Sequence, residues 1–361
     1  MTRPAFQIGP FAAPSPVLLA PMAGFTDAAM RRVCSRFGAG LTFTEMVNAA
    51  GVLHASDKTW HLLETLPGEG PVAAHLYGAD PGVLGEAAGR VAATGRFVAV
   101  DLNAGCPVRK IASKGAGAAL MRDPALAGRI VAAMHAATPL PITVKTRLGP
   151  RPDKVAVFEL LDAVAAAGGA ALTVHARFAT QEHSGEVRLD LLAEVKRRSR
   201  IPVIGNGGVR RAGDIEAMFR ETGVDAVMVA QAALGNPWIF QEAHFMKCDP
   251  EAGAKRDLDE LRRVLQEHVD GTLELCRQIR SRHRLPARAL PPEDAAAVTF
   301  RCQLFRYLRG LKGANYVRGR LHELRTLADI QRAVEGCLER EARYRALRLT
   351  PPERLTTMPA S

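Results

Sequence analysis

No apolar run in the 361 residues approaches the roughly 20 that a membrane-spanning helix needs. The opening stretch, MTRPAFQIGPFAAPSP, is broken by prolines and lacks the long apolar core of a signal peptide. A cytoplasmic protein without membrane contact is therefore expected. Paired cysteines are missing too. Cys34, Cys106, Cys248, Cys276, Cys302 and Cys337 form no CxxC, which argues against a zinc site or a disulfide framework, and no metal is expected. Free thiols in a chain this long fit a reducing compartment, most of them as buried small apolar groups. No repeat of solenoid length and no low-complexity block occurs.

What is present is a basic chain able to build a core. Apolar residues make up 47% of it, enough for a globular interior and too many for a disordered protein. The length suits one large domain of roughly 200–250 residues and a smaller one. The net charge of +11 is uneven. Residues 251–361 hold 22 Lys+Arg against 15 Asp+Glu, an excess of +7, and leave +4 for the first 250. A basic final third fits a polyanionic partner such as nucleic acid. It fits equally well a solvated helical surface.

Short β-branched runs alternate with Ala/Leu-rich stretches of helical period up to about residue 240. The strand candidates are 16–22, 41–46, 71–78, 97–105, 141–149, 171–177, 201–208 and 225–231. Helix candidates fall between them at 26–37, 81–92, 123–136, 155–166, 187–198 and 212–222. Each strand run is continuous and apolar, as in a sheet covered on both faces. Eight β-then-α units predict an α/β fold, a (β/α)8 TIM barrel, over residues 1–245. Only helical period follows, at 257–279, 292–310, 317–325 and 327–346, which predicts a small all-α domain over 246–348. Residues 349–361 read as a disordered tail.

Polar residues recur at the C-terminal strand ends: Met22, Glu45, His75, Asn103 with Cys106, Lys145 with Arg147, His175 with Arg177, Asn206 and Gln231. In such a barrel those ends converge on one face, where active sites lie. GNGGVR (205–210) follows the seventh strand and opens a helix, so its amides can face a phosphate. VAQAALGNPW makes a second small-residue turn after the eighth. Lys145 either pairs with a carboxylate such as Glu45 or Asp101, or offers a cation to a ligand such as a flavin ring. Asn103 carries a donor and an acceptor suited to a uracil or flavin edge. Cys106 sits on a Gly-Cys-Pro turn followed by Arg109, Lys110 and Lys114. A thiol there can be an acid, a nucleophile or filler.

Six stretches together resemble the tRNA-dihydrouridine synthase family: LLAPMAGFTDAAMRR (18–32), DLNAGCPVRKIASKGAGAALMRDP (101–124), ITVKTRLG (142–149), TVHAR (173–177) with Gln181 and Gly185 beyond it, IPVIGNGGV (201–209) and DAVMVAQAALGNPWIF (225–240). The likeness runs in order from about residue 15 to 245. It implies a barrel that reduces tRNA uridines to 5,6-dihydrouridine with FMN and with NADPH as electron donor. It implies that Pro21, Met22, Ala23, His75, Lys145, His175, Asn206, Gly207, Gly208, Ala230 and Gln231 hold FMN. Cys106 matches the catalytic cysteine, which protonates uracil C5 while hydride reaches C6 from the other face. Asn103, Arg147 and Arg177 would bind the base, which must be flipped out of the folded tRNA. The basic helices would grip the RNA backbone. A monomer is expected.

Three positions depart from the family pattern. His75 stands where the family has Gln, and is expected to hydrogen-bond a flavin edge in a pH-sensitive way. Ala230-Gln231 replaces Gly-Arg, keeping backbone contacts but losing a charge. FRCQLFRYLRG (300–310) lacks the usual Arg-Lys-His run. Two other readings compete: an FMN barrel acting on a free pyrimidine or small enone, and an RNA-binding scaffold without catalysis.

Overall fold

The computed structural model describes residues 6–182, 184–245 and 257–349. Eight short strands form the centre: β1 (Val17–Leu19), β2 (Thr42–Phe43), β3 (Val72–Tyr77), β4 (Ala99–Ala104), β5 (Ile142–Arg147), β6 (Ala171–His175), β7 (Val203–Asn206) and β8 (Ala226–Val229). All neighbouring pairs are parallel, in the order β1-β8-β7-β6-β5-β4-β3-β2. Gly40 and Leu19 N–H groups donate to the Val17 and Leu41 carbonyls, which joins β1 to β2 and nearly closes the ring. The (β/α)8 barrel is thus present, with each strand inside its expected run.

Small and large side chains alternate inside the ring. Ala73, Ala99, Ala171 and Ala226 pack with Leu18, Phe43, Ile204 and Met228. An unexpected antiparallel hairpin, Phe6–Ile8 with Phe11–Ala13, adds Phe6 and Ile8 to that same cluster. Its apolar side chains thereby complete the barrel interior. The expected outer helices form, for example Ala28–Arg36, Pro81–Ala92 and Pro124–Ala137. Asp27, Asp80 and Asp123 cap these three by accepting from Met30, Val83 and Leu126 N–H.

The last described helices are Leu258–Arg282, Pro292–Leu308, Ala314–Gly319 and Leu327–Leu349. The third is shorter than the 317–325 expectation and sits earlier, because Gly319 ends it and a 3-10 turn at Leu321–Glu323 follows. Val264, Leu265, Phe300 and Leu304 share one apolar cluster with Val33 and Trp238 of the barrel's outer layer. Buried Glu64 adds a polar clasp, accepting from Gln278 at 2.6 Å and Arg282 at 2.9 Å and meeting His283 Nε2 at 2.8 Å. The boundary expected at 245/246 abuts residues outside those described, and the tail expected from 349 lies, beyond Leu349, outside them as well.

The cysteine expectation needs correction. Of the five described, only Cys34 and Cys337 are buried, and Cys302 is exposed. No helix among the described residues is long and apolar enough to cross a membrane.

Candidate active site

The C-terminal strand ends open into a cavity of about 670 Å³, a size that suits a cofactor or small ligand. Strand register explains why they meet. Asn103 pairs with Lys145, Arg147 with His175, and His175 with Asn206 across β4 to β7. Every expected site residue lines this cavity: Pro21, Met22, Ala23, His75, Asn103, Cys106, Lys145, Arg147, His175, Arg177, Asn206, Gly207, Gly208, Ala230 and Gln231. Glu45 does not join them. Its carboxylate takes the Gly24 N–H at 2.5 Å, and Met46 reaches the cavity instead.

The β7–β8 side is built from backbone. Gly207 has φ +106°, and a Cβ there would stand 2.7 Å from the His175 ring. Gly208 has φ +78°, with a Cβ 2.9 Å from Val187. Neither position tolerates a side chain, so main chain forms the surface, as a phosphate-binding turn requires. Asn206 is fixed beside it, giving its amide N–H to the Met228 carbonyl at 2.8 Å.

Lys145 ends at this side. Its ammonium donates to Asn206 Oδ1 at 3.0 Å rather than to a carboxylate, so the pairing with Glu45 or Asp101 does not form. Burial, then the Arg147 charge, lower its pKa to about 8, while Asp101 and Cys106 act the other way. A cation bonded to an amide rather than to a carboxylate retains its charge for an anionic guest.

The β3–β5 side is built from side chains. Asp101, wholly buried, accepts from Thr143 Oγ1 at 2.5 Å and meets His75 Nδ1 at 2.5 Å. His75 Nε2 lies 3.1 Å from Asn103 Nδ2, which also donates to Met46 Sδ. Asn103 Oδ1 accepts the N–H groups of Gly105 at 3.0 Å and Cys106 at 2.9 Å. The Asn103 amide expected to face a base is thus engaged within the protein. The His75 ring, expected at a flavin edge, has both nitrogens engaged as well.

Arg147 is a strut rather than an open base contact. Its guanidinium donates to the carbonyls of Gly105, Phe178 and Glu182, tying the β4 and β6 loops together. Glu182 holds φ +49° there. Arg177 reaches the Gly185 carbonyl and lies 3.3 Å from His175 Nε2. Cys106 is partly exposed on the cavity wall, its turn fixed by Ala118 N–H donating to the Cys106 carbonyl.

Sequence reasoning missed Arg306. It lines the cavity from the helix Pro292–Leu308, with its guanidinium 5.6 Å from the Phe25 ring centroid. Gln303 donates to the Phe25 carbonyl at 2.8 Å, and a Cβ on Gly235 would stand 2.2 Å from Arg306 backbone. The helix therefore seats directly on the loops after β1 and β8. Its only sequence signal was FRCQLFRYLRG, where several arginines compete for notice.

The backbone cradle, the lysine and the thiol share one cavity in a nearly closed parallel barrel, an arrangement suited to a flavin-dependent oxidoreductase. The dihydrouridine synthase family model matches residues 18–289, and the chain belongs to that family, one of flavin-dependent enzymes. It is 36% identical to tRNA-dihydrouridine synthase B of Pseudomonas aeruginosa, over 73% of this chain and 79% of that protein. It is 38% identical to a probable tRNA-dihydrouridine synthase of Mycobacterium tuberculosis, covering 75% and 72%. A probable tRNA-dihydrouridine synthase of Aquifex aeolicus is 31% identical across 91% of this chain and 98% of its own. Two solved structures, each 13% identical, share the fold alone. The old yellow enzyme homologue of Zymomonas mobilis has a TM-score of 0.50, covering 68% of this chain and 92% of its own. Histamine dehydrogenase of Rhizobium sp. 4-9 has 0.53, covering 92% and 64%.

Proposed function

We propose that this chain reduces uridines of tRNA to 5,6-dihydrouridine, with FMN as its flavin and NADPH as electron donor. One observation carries the reading: Cys106 stands on the wall of the same cavity that Gly207, Gly208 and Lys145 line. The residues present fit a flavin mononucleotide. The glycine turn presents backbone where a Cβ would clash, and Lys145 keeps a charge near neutral pH. When bound, the flavin supplies the hydride that uracil C6 receives.

The chain's own residues do the rest. Hydride addition builds enolate-like charge on the pyrimidine, and Cys106 Sγ gives its proton to C5. The resulting thiolate regains a proton from solvent. Arg147 and Asn103 keep the Cys106 turn in place, and Arg177 faces the base from the β6 side. Arg306 holds RNA phosphate beside the flipped nucleotide, and the basic helices extend that grip. The family pattern, the relatives' names and the +7 excess of the final third all support an RNA substrate.

The test uses the purified full chain with NADPH and either unmodified bulk tRNA or free uracil. Nucleoside mass spectrometry should show dihydrouridine in the tRNA and no reduced uracil. Reduction of uracil alone would reject this reading in favour of a small-molecule reductase.

A further inference from the structure

The loop that carries Cys106 leaves four side chains without work inside the protein. Val108, Arg109, Lys110 and Lys114 all stand exposed on it. We infer that this loop is itself an RNA contact: Val108 enters the gap that the extruded uridine leaves in the base stack, and the three cations hold the neighbouring phosphates. The part that concerns Val108 rests on the proposed reaction. The part that concerns the cations needs only RNA as the partner.

An exposed valine by itself is ordinary. Its place and its support set this one apart. Of the large apolar side chains exposed among the described residues, Val108, Leu290, Val298, Tyr316 and Leu347, Val108 alone lines the cavity. It is 54% exposed, yet its backbone is held. The Val108 carbonyl accepts the N–H groups of Ile111 at 2.9 Å and Ala112 at 3.0 Å, which starts the short helix Arg109–Ala112. Ile111 is buried and anchors that helix. On the other side, Ala118 N–H donates to the Cys106 carbonyl at 2.9 Å. A β-branched side chain on a fixed backbone has few rotamers to lose. Val108 is therefore a short, rigid apolar finger at the rim of the cavity, two positions from the thiol.

The charge around the finger has one sign. No Asp or Glu occurs between Asp101 and Asp123, whereas Arg109, Lys110, Lys114 and Arg122 all do. Among the described residues, Arg109, Lys110 and Lys114 form no ion pair and no side-chain hydrogen bond. Basic groups on the outer helices are paired by contrast: Arg90 with Glu86, Arg198 with Glu194 and Arg220 with Glu221. Three unpaired cations around one apolar tip fit a partner that brings its own negative charge. Strand order adds direction. β4 lies across the ring from β8, so its loop faces Arg306 over the mouth. A nucleotide entering the cavity has Arg306 on one flank and the thiol loop on the other. Extrusion costs the base its stacking, and an apolar group that fills the gap offsets that cost. The finger that keeps the stack open and the thiol that meets the extruded base thus share one turn.

Full-length flavoprotein and unmodified bulk tRNA test the two parts separately. For the cations, tRNA affinity is measured across a salt series. Replacing Arg109, Lys110 and Lys114 together by Ala should flatten the slope of log Kd against log salt by about two. Arg90, Arg198 and Arg220 lie in the last turns of barrel helices, at the end opposite the mouth. Replacing these three by Ala should leave the slope within about 0.5 of wild type. Equal slopes in the two triple variants would overturn the grip. For Val108, dihydrouridine formation is followed in single turnover from enzyme reduced beforehand, over a range of tRNA concentrations. Val108→Ala should lower the rate at saturating tRNA about tenfold, while the half-saturating concentration and the flavin content stay within about threefold, because the RNA docks but its base leaves the stack less often. Val108→Leu keeps an apolar tip and should retain about half the wild-type rate or more. An unchanged rate in Val108→Ala, or an equal loss in Val108→Leu, would overturn the finger. If the wild type makes no dihydrouridine, the proposed reaction and the finger fall together, and the salt slopes still decide the grip.

Discussion

The two halves of the barrel mouth hold their shape by opposite means. The β7–β8 half works by what is absent: Gly207 and Gly208 leave main chain at the surface, and a Cβ would strike His175 or Val187. The β3–β5 half works by side chains that use nearly all their hydrogen-bonding capacity on each other, from Thr143 and Asp101 to the Cys106 amide. Backbone amides recognise a phosphate in any protonation state, and suit a group that stays bound. A side-chain network can direct a single thiol, but it fails as a unit when one donor becomes an acceptor. Under the proposed function, the first half governs whether the flavin stays. Under the same reading, the second governs whether the chemistry occurs.

Substitutions on each side should separate those two outcomes. Under the proposed function, Cys106→Ala removes only the proton donor. Dihydrouridine formation should fall by about 10²–10⁴-fold, while flavin absorbance and NADPH oxidation persist. Equal product from the variant would take Cys106 out of the chemistry. Gly207→Ala should do the reverse. With φ at +106° and the His175 ring in the way, the turn must move, and flavin affinity should drop by about 100-fold, ~2.8 kcal/mol. Iodoacetamide labelling of Cys106 should not change. A yellow Gly207→Ala protein with wild-type affinity would mean the turn does not touch the flavin.

How much of this the sequence disclosed follows the same division. The strands were legible because parallel strands covered on both faces read as continuous apolar runs. Gly207 and Gly208 were legible because a glycine pair before a helix has few other uses. The engagement of Asn103 was not. It depends on β3 and β4 register, which sets His75 beside Asp101, and on backbone N–H groups that every residue carries. The bonds of Arg147 were hidden for the same reason, since carbonyls bind its guanidinium and carbonyls leave no mark in a sequence. The Phe6–Ile8 hairpin was hidden by strands of three residues among prolines.

Arg306 reaches this mouth from outside the barrel and sharpens the comparison. The Gln303 and Gly235 contacts hold it beside the β1 and β8 loops, so its effect should fall on substrate and spare the flavin. Arg306→Ala should raise the KM for tRNA by about tenfold, the usual scale of one charge-assisted contact. The salt slope of binding should shrink by about one. A fall in flavin content instead would assign Arg306 to the cofactor phosphate, taking the place of the charge absent at Gln231.

The smallest effect lies where the halves meet, at Lys145. Burial lowers its pKa to about 8 in the free protein. An anionic guest favours the ammonium, so binding must raise that pKa, and above pH 8 binding takes up a proton. Flavin affinity should be level below pH 7 and weaken about threefold between pH 7.5 and 8.5, following the shrinking ammonium fraction. Lys145→Arg keeps its charge throughout this range, so the same titration with that variant should be flat. Flavin fluorescence during a pH series measures both. A wild-type curve as flat as that of Lys145→Arg would show that Lys145 does not meet the anionic part of the flavin. Its 3.0 Å bond to Asn206 would then be its whole contribution, and affinity would rest on the glycine turn alone.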